Sequence, residues 1–202
     1  RNPSPFSGPL PLQIAYLSQG RLYLHLDGQP LKEIESDFGK DLQQRRLQIQ
    51  RKQASKNRGI QAMTQSPQML KQQEQMAENL SPVLITSLCA LPEGELIYSL
   101  ESEDMGGLFR FNVEKDNETR LFHNTEFQVS YLDFAPEQNL LACTKAYKTG
   151  SINLATMSPD AVRPQDITEG DSVDLAPRWV GNKALVYQSA GVSRNDQGFI
   201  TA

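Results

Sequence analysis

Histidine and cysteine are scarce in this chain, two of each among 202 residues, and that scarcity removes whole classes of chemistry. Zinc centres and Cys or His nucleophile pairs need clusters of these residues at fixed spacing. His25 stands in an alternating strand pattern and His123 near the end of another, neither with such neighbours. No G-x-S-x-G elbow, Walker-type glycine loop or dinucleotide fingerprint occurs, so neither catalysis nor a cofactor is expected. Cys89 and Cys143 each lie inside an apolar strand pattern and read as buried thiols rather than a disulfide or a metal pair. Long hydrophobic runs are missing as well. Nothing approaches the roughly 18 apolar residues of a membrane span, and no membrane partner is expected. Nor is there a cationic excess: 20 Lys and Arg against 24 Asp and Glu leave a net charge of −4 and a pI near 5.3, which gives no general attraction to nucleic acid or anionic lipid. No leader pattern is visible at Arg1, and cytoplasmic and periplasmic settings both stay open.

What the chain does have is a repeating order of short strands and turns. From Leu88 to Val113 an apolar segment meets a Pro92-Glu93-Gly94 turn, then Leu96-Ile97-Tyr98, a polar loop, Gly106-Gly107, and Leu108 to Val113. Tyr131 to Ala135, Pro136-Glu137-Gln138, Leu141 to Thr144, Gly150 and Ile152 to Leu154 repeat that order. Pro177-Arg178-Trp179, Gly181-Asn182-Lys183, Leu185-Val186-Tyr187 and Gly198-Phe199-Ile200 make a third copy. Pro92 to Pro136, Gly107 to Gly150 and Phe134 to Trp179 are spaced by about 43 to 45 residues, the period of a four-stranded propeller blade. Helical repeats of that length need a 3.6-residue period. These segments instead alternate every second residue and are rich in Tyr, Ile, Val, Phe and Leu.

Before the first full copy stand a Pro-rich arm over residues 1–12 and a shortened copy over 13–35. In the latter, Ile14 and Tyr16 correspond to Leu96 and Tyr98, to Leu141 and Cys143, and to Leu185 and Tyr187. Asp27-Gly28 marks a hairpin there. Tyr16 and Tyr98 lie about 38 residues further apart than one period allows. The excess falls in 36–81, a Gln-rich segment of helical character. Strong helix formers run from Asp41 to Ala54 without Gly or Pro, and Gly59 is expected to break that helix. A second helix should start at Ser66-Pro67 and end at Ser81-Pro82. The basic residues Lys40, Arg45, Arg46, Arg51, Lys52, Lys56 and Arg58 are opposed in their span only by Asp41. Of these Arg45, Arg46, Arg51, Lys52, Lys56 and Arg58 are the candidate partner-binding residues. On one reading they form a contact surface for a nucleic acid or an acidic protein partner, which the absence of aromatic side chains for base stacking weakens. A merely solvated helix face that balances an acidic body is the competing reading.

Elsewhere, Glu101, Glu103 and Asp104 lack the alternation of a calcium loop and read as a hydrated turn. Asp171 and Asp174 are placed to cap a turn or bond backbone amides. Asn117-Glu118-Thr119 fits a glycosylation sequon, which matters only on a eukaryotic secretory route.

The stretches Leu132-Asp133-Phe134-Ala135-Pro136-Glu137-Gln138 with Asn139 to Thr144, and Pro177-Arg178-Trp179-Val180-Gly181-Asn182-Lys183 with Ala184 to Ser189, resemble the TolB-type propeller repeat, a WD-like unit. That repeat runs aromatic, Ser-Pro-Asp-Gly, Lys, aliphatic, Ala, Phe, Thr, Ser. Here Ala135 replaces the Ser, Glu137-Gln138 replaces Asp-Gly, and Val180-Gly181-Asn182 lacks the Pro. The resemblance implies an all-β chain of propeller blades, a partial ring of about four repeats over 13–35 and 82–202, with the helical insertion in its first repeat. It also implies a binding platform without catalysis, whose partner is another protein or another part of a longer chain. The alternative is the propeller of a prolyl-oligopeptidase-like serine peptidase gating a downstream hydrolase domain; nucleic-acid binding through the basic helix is the weaker third. The visible copies do not close a six- or seven-bladed ring, so the expectation is of a longer protein.

Overall fold

The computed structural model describes residues 13–61, 82–103, 105–160, 163–170, 172–181, 183–191, 193–194 and 200–201. Within them the chain is mostly β, with one long helix. β1 (Gln13–Ser18), β2 (Arg21–Leu26) and β3 (Lys32–Ile34) form an antiparallel sheet. Gln19 and Gly20 join β1 to β2 with φ of 52° and 75°, the two left-handed residues of a tight hairpin. The expected Asp27-Gly28 turn joins β2 to β3, with the Gln29 N–H donating to the Leu26 carbonyl at 3.0 Å. Alternation sorts this sheet cleanly: Ala15, Leu17, Leu22, Leu24, Leu26 and Ile34 face a core, while Ile14, Tyr16 and Tyr23 share the other face.

α1 (Asp37–Gln61) follows, 25 residues or about 37 Å long. The expected break at Gly59 does not occur. One glycine in a helix interior costs only about 1 kcal/mol, which flanking helix formers outweigh, and α1 runs on to Gln61. The arm over 1–12 and the helix expected from Ser66 lie outside the described residues.

β4 (Leu84–Leu91), β5 (Glu95–Ser102), β6 (Met105–Asn112) and β7 (Asn117–Asn124) make a four-stranded antiparallel meander. β8 (Phe127–Ala135), β9 (Leu140–Tyr147), β10 (Ile152–Met157) and the short β11 (Gln165–Asp166) repeat that course. In both, a single 3-10 turn, Pro92–Gly94 or Pro136–Gln138, links the first strand to the second. The hairpin β12 (Ser172–Val180) and β13 (Ala184–Gly191) joins the third sheet through one parallel bridge, Ile152 to Val173. β14 (Ser193–Arg194) pairs with β15 (Ile200–Thr201). Among the described residues the sheets are open, none closing on itself.

The third copy departs from its expected start. Its strand begins at Ser172, and Pro177 lies inside it rather than at its head. A bulge makes that tolerable, because Ala176 and Pro177 fall out of the ladder between Leu175 and Arg178, where no amide is needed. β4 and β8 carry bulges at matching places, at Thr86 and at Tyr131-Leu132. Tyr131 and Ala176 are both left-handed there, with φ of 53° and 52°.

The sheets stack face to face. Leu96, Tyr98, Leu100 and Phe109 pack with Leu22, Leu24 and Ile34 of the first sheet. Ile97 and Leu108, on the opposite face of the same meander, pack with Phe127, Val129, Leu141 and Cys143 of the third. Both corresponding pairs, Leu96 with Tyr98 and Leu141 with Cys143, therefore turn toward the preceding sheet. Hydrogen bonds cross both joints, Ile85 N–H to the Gly20 carbonyl at 2.9 Å and Leu132 N–H to Ser87 Oγ at 2.9 Å, and Ala176 N–H on β12 likewise reaches Thr144 Oγ1 on β9 at 3.1 Å. Gly106 serves close approach, since a Cβ there would stand 2.6 Å from the Phe127 carbonyl oxygen.

Candidate interaction surface

α1 is the element foreign to the sheets, and its N-terminal turns are built into them. Ser36 caps it: Ser36 Oγ accepts the Gly39 N–H at 3.1 Å, satisfying a donor that has no partner within the helix. Phe38 enters the core beside Phe109 and His123, with ring centroids 5.2 Å away in each case, and the Arg120 guanidinium lies 5.4 Å from its ring centre. Glu118 on β7 completes the root. One carboxylate oxygen accepts the Phe38 N–H at 3.1 Å and the other accepts the hydroxyl of the fully buried Tyr98. A carboxylate at this end also meets the positive pole of the helix. Burial, and after it the bond to Glu118, pushes the Tyr98 phenol well above its ordinary pKa. One and two turns on, Leu42 packs on the same core and Arg46 donates to Ser102 Oγ at 2.8 Å. Residues 38, 42 and 46 thus make one stripe at four-residue spacing.

Of the four candidates whose side chains are described, Arg45, Arg46, Arg51 and Lys52, not all share one face of α1. A helix turns about 100° per residue, so neighbours such as Arg45 and Arg46 diverge. Arg46 is half-buried against the second sheet, and Arg45 pairs with Asp41 at 2.7 Å one turn back. Arg51 and Lys52 are exposed further along, and Lys56 and Arg58 lie on α1 with their side chains outside the described part. The residues that fix the helix, Ser36, Phe38 and Glu118, went unread in the sequence. The Ser36-Asp37 start and the Phe38-Leu42 spacing were the available signals, whereas nothing local joins Glu118 to Phe38.

Lys145 and Asp174 have structural partners. Lys145 is nearly buried, 2.7 Å from Asp166 Oδ1, with Phe127 and Tyr147 ring centres at 4.5 and 4.6 Å, and Tyr147 donates to Asp166 Oδ2 at 2.6 Å. This cluster pins β11 to β9. Asp174, expected to bond backbone amides, is instead buried and accepts the hydroxyls of Ser172 and Ser189 at 3.1 and 2.6 Å. Burial holds the Glu101 carboxyl above its usual range, while Asp104 lies outside the described residues. Both thiols are free; burial pushes Cys89 up to about 11 and Cys143 up to about 12. Among the described residues, no helix is long and apolar enough to cross a membrane.

The arrangement is that of a β-rich body of stacked antiparallel sheets bearing one rooted helix, and its likeness in known proteins is one of fold. No family model matches the sequence, and no curated protein matches it. A solved structure of TolB from Agrobacterium tumefaciens is similar over 89% of this chain and 50% of that one, with a TM-score of 0.53 and 12% identity. TolB from Acinetobacter baumannii gives a TM-score of 0.48 and 11% identity, over 89% of this chain and 36% of that one. The fold is TolB-like, and the chain spans half or less of the length of these two structures.

Proposed function

We propose that the chain is part of a β-propeller, its stacked sheets the blades, and that it acts as a protein-interaction scaffold with α1 as a docking element for an acidic protein surface. On this reading residues 13–35 begin the first blade, 36–81 are an insertion after its third strand, and 82–202 continue the blades. The TolB-like fold supports the scaffold part of the reading. One observation carries the docking role: buried contacts from Phe38 to Arg46 hold α1, while Arg51 and Lys52 lie beyond that root and are exposed. A helix fixed at one end presents its far side chains without the entropy cost of ordering them at the moment of binding.

Deleting the insertion from residue 40 would remove Leu42 and Arg46 from the root, so charge is the better handle. A variant with Arg51, Lys56 and Arg58 all changed to Gln should keep the wild-type far-UV circular dichroism and lose the protein that wild type recovers by cross-linking and mass spectrometry. Undiminished recovery of that protein overturns the docking role. Recovery of nucleic acid in its place, with affinity falling steeply as salt rises, overturns the choice of partner.

A further inference from the structure

The second and third sheets share a cavity of about 450 Å³ whose wall is drawn from β4, β5, β8, β9 and β12. Thr86 and Glu101 line it from one sheet, and Ser130, Tyr131, Leu132 and Arg178 from the other. Its volume is that of a small-ligand site. Two opposite charges stand on this wall, and they do not meet. The half-buried Glu101 carboxylate takes a hydrogen bond from the Thr86 hydroxyl. The exposed Arg178 guanidinium is held by the Leu132 carbonyl, to which Nη1 donates at 3.3 Å. Among the described residues neither group forms an ion pair. The Asp133 carboxylate on β8 accepts the Trp179 N–H at 2.6 Å instead. Elsewhere in the same sheet opposite charges close on each other, as Lys145 and Asp166 do at 2.7 Å. Burial without a counter-charge raises the Glu101 carboxyl above its usual range, a cost that a cation seated against it would relieve.

We propose that this cavity binds a small zwitterion, an amino acid or a short peptide, with its ammonium on Glu101 and its carboxylate on Arg178. The bonds to Thr86 and Leu132 hold the two charged groups in place, so less ordering is left to be done when a ligand arrives. Arg178 engages the Leu132 and Pro177 carbonyls through Nη1, which leaves Nη2 and Nε as the two donors of a bidentate carboxylate pair. Glu101 has acceptor sites beyond the one that Thr86 fills. A ligand of single sign fits worse: a simple anion meets Glu101 without compensation, and a simple cation meets Arg178. A molecule with one charge of each sign satisfies both, and the mismatch rejects the others. This inference goes beyond the scaffold reading and uses neither α1 nor the sheets being blades.

Titration calorimetry on the 202-residue chain, with tri-alanine and the common free amino acids as probes, should give a Kd below about 1 mM for at least one of them. Removing either charge of that probe should weaken its binding by about tenfold or more. N-acetylation takes the ammonium from Glu101, and C-terminal amidation takes the carboxylate from Arg178. Glu101→Gln should weaken the parent probe to the same degree and leave the N-acetyl form as it was, and Arg178→Gln should do the same for the amide. The blocked probes are read on the wild-type chain, so the outcome stands even where a variant fails to fold. Saturation by a free amino acid, or by tri-alanine alone, supports the site and tells an amino acid from a peptide. No binding of any probe at about 10 mM overturns the proposal, as does a blocked probe that binds as tightly as its parent.

Discussion

Replacing Glu118 with Ala should loosen α1 from the body, by an amount set by two donors. Its carboxylate accepts the Phe38 N–H and the Tyr98 hydroxyl. Tyr98 is fully buried, so its hydroxyl cannot turn to water once the acceptor is gone, and the other side chain bonded to it, Ser36, already accepts the Gly39 N–H. A buried donor left unmade costs about 1–3 kcal/mol. The Phe38 amide is only partly buried, and it also loses a negative charge at the helix N-terminus worth about 0.5 kcal/mol. Together these give about 2–4 kcal/mol. At roughly 2–4 °C per kcal/mol for a chain of this size, calorimetry should show the melting temperature fall by about 5–15 °C. Tyr98→Phe removes the other end of the bond, and the double variant should be less destabilised than the sum of the single ones by about 1–2 kcal/mol. A loss under about 0.5 kcal/mol for Glu118→Ala, or additivity within about 0.3 kcal/mol, would refute this account of the helix root. The same bond has an alkaline signature. The native Tyr98 keeps its proton at pH values where the unfolded phenol, near pKa 10, has released it. Its contribution is therefore whole below about pH 10 and is lost as pH rises above that, and Tyr98→Phe should flatten that limb of the stability curve.

Asp166→Ala should cost about 3–5 kcal/mol in urea unfolding, because it strands the charge of Lys145, whose side chain is only 3% exposed; a loss below about 1 kcal/mol would refute the pairing, and Lys145→Met in the same chain should restore most of it. Burial alone would raise the Asp166 pKa, but hydrogen bonds from Lys145 and Tyr147 win and lower it. Its contribution is thus present above about pH 3.9 and is lost as pH falls through the folded value, a limb that Asp166→Asn should abolish. Gly106→Ala should destabilise by about 1–3 kcal/mol, because the added methyl meets the Phe127 carbonyl and the Gln128 Cα, at 2.6 and 2.8 Å, rather than a movable side chain. A neutral result in thermal melts would show that β6 and β8 can part at little expense.

The strands were legible because their information is local. Alternation in Leu96 to Leu100, the Asp27-Gly28 hairpin and the two Pro-led turns each need only a few neighbouring residues to be read. Helix α1 was legible in kind but not in extent, since Gly59 carries a local penalty that its helical neighbours override. The root of the helix was hidden for a different reason. Glu118 reads as the middle of a sequon, and only the pairing of β7 with β6, itself paired with β5, brings it to Tyr98 and to Phe38, 80 residues earlier in the chain. The basic run was visible as composition, yet composition could not say that Arg46 would be spent on Ser102 while Arg51 stayed exposed.

The bulges explain how sheets that meet face to face come to be joined by backbone hydrogen bonds. A regular strand directs its amides sideways into its own ladder and has none to offer a neighbouring sheet. One extra residue opens the ladder locally, and the released amides are those of Leu132 in β8, which donates to Ser87 on the preceding sheet, and of Ala176 in β12, which donates to Thr144 on β9 of the sheet its hairpin joins. Both acceptors are buried hydroxyls, which would be costly in an apolar interface without such a donor. Bulge and hydroxyl therefore require each other: a regular β8 would strand Ser87, and an Ala at 87 would strand the Leu132 amide. The left-handed Tyr131 and Ala176 accept a strain of about 1–2 kcal/mol each that these joints offset. That is a reason for non-glycine residues with φ near 50° to fall at corresponding places in β8 and β12, which the sequence pattern of apolar and turn residues does not mark.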